Sequence, residues 1–324
     1  MLKRFLTAVL ASAALVSGPA NAANQDKCDR ACLEAFANGY LDALIANSPK
    51  SAPLASSVKY TENQAVATIG DGLWKTARKL GDYRIYVADT RRSQIAYLGN
   101  IQTADGWSML AIRIRIAGEQ ITEVETIIPG AAASAGSFDL GGGAARLGQA
   151  REAFAKPLLP EERRDRSQII MAADLHYEGI ERGNGDIVPF GETCIKIENG
   201  VQLILNPDFP PPVASPSGAD LPNFQAMGCQ DQFNTRVWET DLITDRRYPV
   251  VDEERGVVVA FGMYNQYAKG PCAEVVDYGA VCPKSPTRAY TLAMAEAFRV
   301  RSGFIEEVEA VFTVLPELKL RGVW

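Results

Sequence analysis

Residues 119–127 read EQITEVETI, and residues 303–311 read GFIEEVEAV. Both carry Ile-x-Glu-Val-Glu. Each ends a longer parallel: LAIRIRIAGEQITEVETI from Leu110 and MAEAFRVRSGFIEEVEAV from Met294. Apolar and polar residues alternate on both sides of a glycine, Gly118 or Gly303, so each stretch reads as two strands joined by a tight turn. Two such hairpins in one chain suggest that the chain is built twice from one design, and repeats decide a fold before any single motif does.

The upstream sequence agrees. ANGYLDALIANSPKSAPLASSVKYTEN from Ala37 parallels DLHYEGIERGNGDIVPFGETCIKIEN from Asp174. Each opens as a helix carrying a tyrosine, Tyr40 or Tyr177, and closes on Glu-Asn. The tyrosine-to-Asn spacings are 23 and 22 residues. GLWKTARKLGDYRIYVADTRRSQIAYLG (Gly72–Gly99) then parallels DQFNTRVWETDLITDRRYPVVDEERGVVVAFG (Asp231–Gly262), each a short helix leading into two apolar runs. Between the copies lies GAAASAGSFDLGGGAARLG, a composition break expected to be a linker. The second copy carries an insertion of proline-rich sequence, NPDFPPPVASPSGADLPNF, which cannot be a central strand. The expected organisation is a first unit over 23–130, a Gly/Ala-rich linker over 131–150, and a second unit over 151–324 with its insertion at about 201–230.

The order helix, short helix, strand, helix, curved strands resembles the SnoaL-like branch of the nuclear transport factor 2-like superfamily. The phrases CDRACLEAF, YTEN, GDGLW, VAD and ITEVETI resemble an exported tandem family of bacterial and fungal proteins. That resemblance implies two tandem α+β units, each a curved antiparallel sheet wrapped around helices to form a cone. It implies a pocket for a small apolar or aromatic molecule, and acid–base chemistry without a cofactor: a carboxylate or histidine moves a proton while a tyrosine steadies an oxyanion. The superfold hosts enzymes and plain binding modules alike. Units of this kind pair sheet to sheet, so a monomeric pseudo-dimer and a homodimer both fit.

The N-terminus MLKRFLTAVLASAALVSGPANA has a charged start, a short apolar core and Ala20-Asn21-Ala22 as a small-x-small site, the pattern of a signal peptide over 1–22. Removing Lys3 and Arg4 takes the formal net charge from −6 to −8. No basic stripe marks a nucleic-acid partner, and no other segment is long and apolar enough for a membrane span. The expected location is periplasmic or secreted. Six cysteines follow the cleavage site, an even number that suits disulfides in an exported chain. Proximity favours Cys28–Cys32, Cys194–Cys229 and Cys272–Cys282. With no CxxC and a single histidine, a zinc site is the weaker reading.

The candidate catalytic residues are Tyr40 and Glu62 in the first copy and Tyr177, Glu198 and His176 in the second. Tyrosine and glutamate lie 22 and 21 residues apart, helix to first strand in both copies. The ketosteroid isomerases are similar in order and spacing, which implies donor tyrosines and general-base glutamates. The bland alternatives are packing tyrosines and turn-forming Glu-Asn pairs. His176 has Gly39 as its counterpart, which makes the second unit the expected active one. Trp74, Phe190, Trp238 and Arg247 are candidate pocket residues, although Asp245-Arg246-Arg247 also reads as an exposed turn. Glu123/Glu125 and Glu307/Glu309 are expected on a solvated outer face, with Val124 and Val308 packed inward. These observations point to a lyase, isomerase or dehydratase for a small aromatic molecule, lignin-derived dimers included, with a non-catalytic carrier as the alternative.

Overall fold

The computed structural model describes residues 28–130, 140–208, 222–268, 273–281 and 288–324. Residues 1–22, the middle of the proline-rich insertion and the proposed Cys272–Cys282 bond lie outside the described residues.

The first unit opens with α1 (Arg30–Ile45), capped by Asp29, whose carboxylate accepts from the Cys32 amide. Leu33, Ala37, Tyr40, Leu41 and Leu44 recur at helical spacing and are all buried. β1 (Leu54–Glu62), β2 (Ala65–Val66), α2 (Leu73–Thr76), β3 (Ala77–Asp89), β4 (Gln94–Thr103), β5 (Gly106–Ala117) and β6 (Gln120–Ile127) complete it. α3 (Leu140–Arg146) follows. The second unit runs α4 (Arg166–Arg182), β7 (Phe190–Glu198), β8 (Val201–Gln202), α5 (Cys229–Asn234), β9 (Leu242–Asp252) and β10 (Val257–Gln266). A small hairpin, β11 (Ala273–Val275) and β12 (Gly279–Val281), precedes β13 (Tyr290–Arg301) and β14 (Phe304–Leu315).

Sheet order makes the repeat explicit. The first sheet runs β2-β1-β6-β5-β4-β3 and the second β8-β7-β14-β13-β10-β9. Both are mixed where antiparallel sheets are expected from sequence: β1 runs parallel to β6, and β7 parallel to β14. The registers coincide residue for residue. Glu62 pairs with Thr126, which pairs with Ile112; Glu198 pairs with Ala310, which pairs with Glu296. The turns are equivalent too, with Gly118 and Gly303 at positive φ. Asn63 and Asn199 sit at φ 51° and 46°, and their side-chain oxygens accept from the Ile128 and Phe312 amides. Asparagine tolerates this left-handed conformation. The Glu-Asn repeat therefore marks where each first strand leaves its parallel partner.

Each sheet has two buried faces. One covers its own helix: Val124 and Ile112 belong to the core around α1, and Val308 and Phe298 to the core around α4. The other faces the second sheet. Ile85, Leu98, Ala111, Val259, Phe261, Ala295 and Val311 join there in one apolar layer between the units. α3, inside the stretch expected as a linker, places Ala144 in that layer, and its carbonyl accepts from Asn100 at 2.9 Å.

The glutamate pairs correct the sequence reading. Val124 and Val308 do point inward, but Glu125 and Glu309 are buried between the sheets, not solvated. Glu125 binds Arg113 at 3.0 Å and, across the interface, Arg247 at 2.6 Å. Glu309 crosses the other way and accepts from Tyr83 at 2.7 Å. Sequence alternation cannot distinguish water from a second copy of the same sheet. Asp245-Arg246-Arg247 is likewise part of β9 and not a turn; Asp245, at φ 53°, marks an irregularity in its pairing with β10.

Ala297 pairs with Glu309 where Arg113 pairs with Glu125, so Glu309 lacks the matching cation. Burial, together with the nearby Glu307, pushes its carboxyl up to about 8, against smaller opposing effects of the Tyr83 bond and Arg151. The folded state therefore keeps a proton that the unfolded chain releases near pH 4.5. The associated stability is complete below that pH and is lost as pH rises towards 8. Glu309→Gln is expected to flatten this part of a chemical-denaturation pH series. A parent protein showing no decline across the window contradicts the assignment.

Candidate functional site

The interior of the second cone combines aromatic walls with ionisable groups. α4, capped by Asp165 at its start and Gly183 at its end, points His176 and Tyr177 at the sheet. Both are wholly buried. Phe233 and Phe298 lie 5.1 and 4.9 Å from the His176 ring, and Phe190 6.0 Å away. Tyr177 packs edge-on to Tyr264 at 5.7 Å and stacks on Tyr248 at 6.3 Å.

Opposite them, β13 and β7 bring up the charge. Glu296 on β13 accepts from Tyr264 at 2.6 Å. Lys196 on β7 pairs with Glu198 at 2.7 Å and lies 4.0 Å from Glu296. Burial raises the Glu296 carboxyl, partly offset by Lys196. Burial alone would depress Lys196, yet Glu198 and Glu296 outweigh it and hold the ammonium charged. Burial, assisted by the Lys196 charge, drives His176 well below its usual range, so its imidazole is neutral at pH 7. Burial likewise keeps Tyr177 protonated far into the alkaline range, with the Glu296 charge adding to the effect.

Several atoms of these groups have no hydrogen-bond partner among the described residues. Both His176 ring nitrogens, the Tyr177 hydroxyl and Glu296 Oε1 are buried without a hydrogen bond. Tyr177 and Glu296 stand close enough for charge and a loose hydrogen-bonding approach to shift each other's protonation, but the geometry falls short of a formed bond. Leaving such groups unpaired costs about 1–3 kcal/mol each. Arg246 covers the cluster from the solvent side: its guanidinium lies 5.7 Å from the Tyr177 ring and bonds Glu181 and Asp174. Tyr248 also donates to Asp174, at 2.6 Å.

The first cone is less charged. Tyr40 packs edge-on to Trp74 at 5.3 Å. Glu62 Oε2 accepts from the Tyr60 hydroxyl at 2.8 Å and the Leu73 amide at 2.9 Å. The position of Lys196 is held by Tyr60, and that of Glu296 by Ile112. A cavity of about 430 Å³ opens beside Glu62, at the junction with the second unit.

Among the sequence-predicted residues, the structure brings Tyr177, His176 and Phe190 together and places Glu198 one step away through Lys196. The carboxylate facing Tyr177 is Glu296, not Glu198. Trp74 lies in the first core, in contact with Tyr40. Trp238 is 37% exposed. Arg247 stands between the sheets, over Phe261 and paired with Glu125. Sequence reasoning missed Lys196, Tyr264 and Glu296. The signal for Glu296 was present: it shares a strand face with Met294, Phe298 and Val300, while Ala293, Ala295 and Ala297 alternate onto the other.

Two disulfides, Cys28–Cys32 and Cys194–Cys229, are formed. They fit an oxidising environment. The second ties β7 to α5, which carries Phe233. No helix among the described residues is long and apolar enough to cross a membrane, and no cluster of metal-ligating side chains occurs among them.

These features define a tandem α+β protein whose two units, each a six-stranded mixed sheet curved over a helix, pack sheet to sheet and whose second unit holds buried acid–base groups. The chain belongs to the family described as "Domain of unknown function (DUF8021)", whose model matches residues 26–128 and 162–312. No curated protein matches it. Among solved structures it is similar to an NTF2-like protein of unknown function from Cytophaga hutchinsonii, with 8% identity and a TM-score of 0.24 over 30% of this chain and 88% of that one. It is similar to AusH from Aspergillus nidulans, with 11% identity and a TM-score of 0.27 over 32% and 87%. A putative ketosteroid isomerase from Kribbella flavida is similar at 21% identity and a TM-score of 0.24, over 31% and 78%.

Proposed function

We propose that the protein is an exported, cofactor-independent lyase, isomerase or dehydratase acting on a small, largely apolar aromatic molecule inside the second cone. The observation that carries this reading is the set of buried atoms without a hydrogen bond on His176, Tyr177 and Glu296, gathered among aromatic side chains inside the second cone. Buried titratable groups with shifted protonation and unmade hydrogen bonds are the pattern from which a functional site is inferred.

In the proposed step Glu296 removes a proton from carbon next to a substrate carbonyl. The Tyr177 hydroxyl donates to the oxygen as negative charge develops there. Return of the proton to a different carbon gives an isomer; departure of a β-substituent gives an eliminated product. Neutral His176 orients the substrate through either ring nitrogen. Lys196, anchored by Glu198, limits how far burial raises Glu296. Because Arg246 and Tyr248 cover Tyr177, substrate entry requires that pair to swing away from Asp174.

One observation favours a second reading, a non-catalytic periplasmic carrier: Tyr264 already occupies Glu296 Oε2, and Lys196 already holds Glu198. Incubation of the protein with aromatic ketones and lignin-type aromatic dimers, followed by mass spectrometry and calorimetry, separates the two. Product formation is expected. Saturable binding without product leaves only the carrier, and neither product nor binding removes both.

A further inference from the structure

The cavity beside Glu62 is not the second cone, and its chemistry differs. Asn199 of the second unit and Trp107, Ser108 and Ile128 of the first line it, together with Glu62 and Asp105. Its volume of about 430 Å³ falls within the range that small-molecule sites occupy.

The charged groups of this lining are all of one sign. Four side-chain donors are already turned onto backbone carbonyls: Thr76 to Leu73, Thr103 to Gly106, Ser108 to Pro129 and Asn199 to Phe312. Glu62 has one carboxylate oxygen engaged, by Tyr60 and the Leu73 amide. Its Oε1 has no partner among the described residues. Asp105 adds a second carboxylate on an exposed turn. No lysine, arginine or histidine occurs among the described lining residues. The wall thus presents two carboxylates, the Asn63 side-chain amide and an indole, with no cation among the described lining residues to balance the carboxylates.

An anion is repelled by such a wall, and a neutral apolar ligand leaves both carboxylates uncompensated. A protonated amine satisfies them, and Trp107 puts into the lining an aromatic side chain of the kind that attracts ammonium groups. We infer that this inter-unit cavity binds a small organic ammonium ion, with Glu62 as its principal counter-ion and Trp107 as its apolar wall. The site uses neither His176 nor Glu296, so it is independent of the chemistry proposed for the second cone.

The test is calorimetric titration of the full mature protein with 2-phenylethylammonium, with 2-phenylethanol as the neutral equivalent and phenylacetate as the anionic one. The ammonium is expected to bind saturably, at least about tenfold more tightly than the alcohol, and to weaken as salt rises. Phenylacetate is expected not to compete. Glu62→Gln should weaken ammonium binding by at least about tenfold. Asp105→Asn, on an exposed turn where folding is not at risk, should weaken it by about threefold. Glu296→Gln should leave it unchanged, which keeps this site distinguishable from the second cone. Equal affinity for the alcohol overturns the inference, as does ammonium binding indifferent to both Glu62→Gln and Asp105→Asn, or no saturable binding at all.

Discussion

Glu296→Gln and Tyr177→Phe are each expected to lower turnover of a responsive aromatic substrate by about 10²–10⁴-fold, the usual contribution of a positioned proton-transfer group. Both substitutions preserve shape, and glutamine can still accept from Tyr264, so the fold should survive. The reason for expecting so large an effect is electrostatic. Glu296 is enclosed by apolar and aromatic side chains, its carboxyl is raised by burial, and among the described residues Lys196 brings the compensating charge, 4.0 Å away. A base must be ionised to act, so activity should rise with pH through the raised Glu296 value. Lys196→Met removes the charge that limits this rise and should move the profile to higher pH. Glu198→Gln should move it to lower pH, because Lys196 loses its closer partner and turns to Glu296. Steady-state rates across a pH series check all of these shifts. Unchanged rates in both Glu296→Gln and Tyr177→Phe, with circular dichroism intact, retire the catalytic reading.

The second large effect concerns the joint between the units. Arg113→Ala is expected to destabilise the protein by about 3–5 kcal/mol, the range for breaking a buried ion pair from one side. Arg113 is 3% exposed and serves Glu125, Glu123 and Gln94 at once. Trp324 covers it: its ring lies 4.4 Å from the guanidinium, and its indole donates to Thr61 at 2.8 Å. Removing the cation leaves Glu125 buried with Arg247 as its remaining charged partner. Combining Arg113→Ala with Glu125→Ala should cost less than the sum of the two, because each orphans the same network. Urea titration of the four proteins measures this coupling. Strict additivity contradicts the picture of one shared network.

The sequence was most legible where the same physical demand was made twice. The hairpins at Gly118 and Gly303, the helical tyrosines and the Glu-Asn strand ends recur because each unit needs the same turn, the same helix contact and the same departure from a parallel pair. Alternation placed Val124 and Val308 inward correctly. It failed for Glu125 and Glu309 because a strand pattern shows which residues share a face, not what covers the other one. Facing was ambiguous for Glu198 as well. Ile195 and Ile197 suggest the opposite side as the core, yet Lys196 and Glu198 point into the cone, with the lysine offsetting the buried charge. Arg247 resembled a pocket residue for the same reason: an arginine near an aromatic strand suits a ligand or a partner sheet equally well. Tyr264 and Glu296 come from strands separated in sequence by the β11–β12 hairpin. Only the fold brings them to His176 and Tyr177.

The most direct test of the central claim uses the single histidine of the chain. Without an affinity tag, the imidazole signals in a nuclear magnetic resonance spectrum belong to His176 alone. A neutral ring with no titration near pH 6.5 is expected, because burial holds it well below that value. A saturable shift of those signals is expected when an aromatic ketone is added, as the unpaired nitrogens gain a partner. A histidine that titrates near pH 6.5, or one that is unmoved while such a ligand binds elsewhere, would contradict a functional chamber in the second cone.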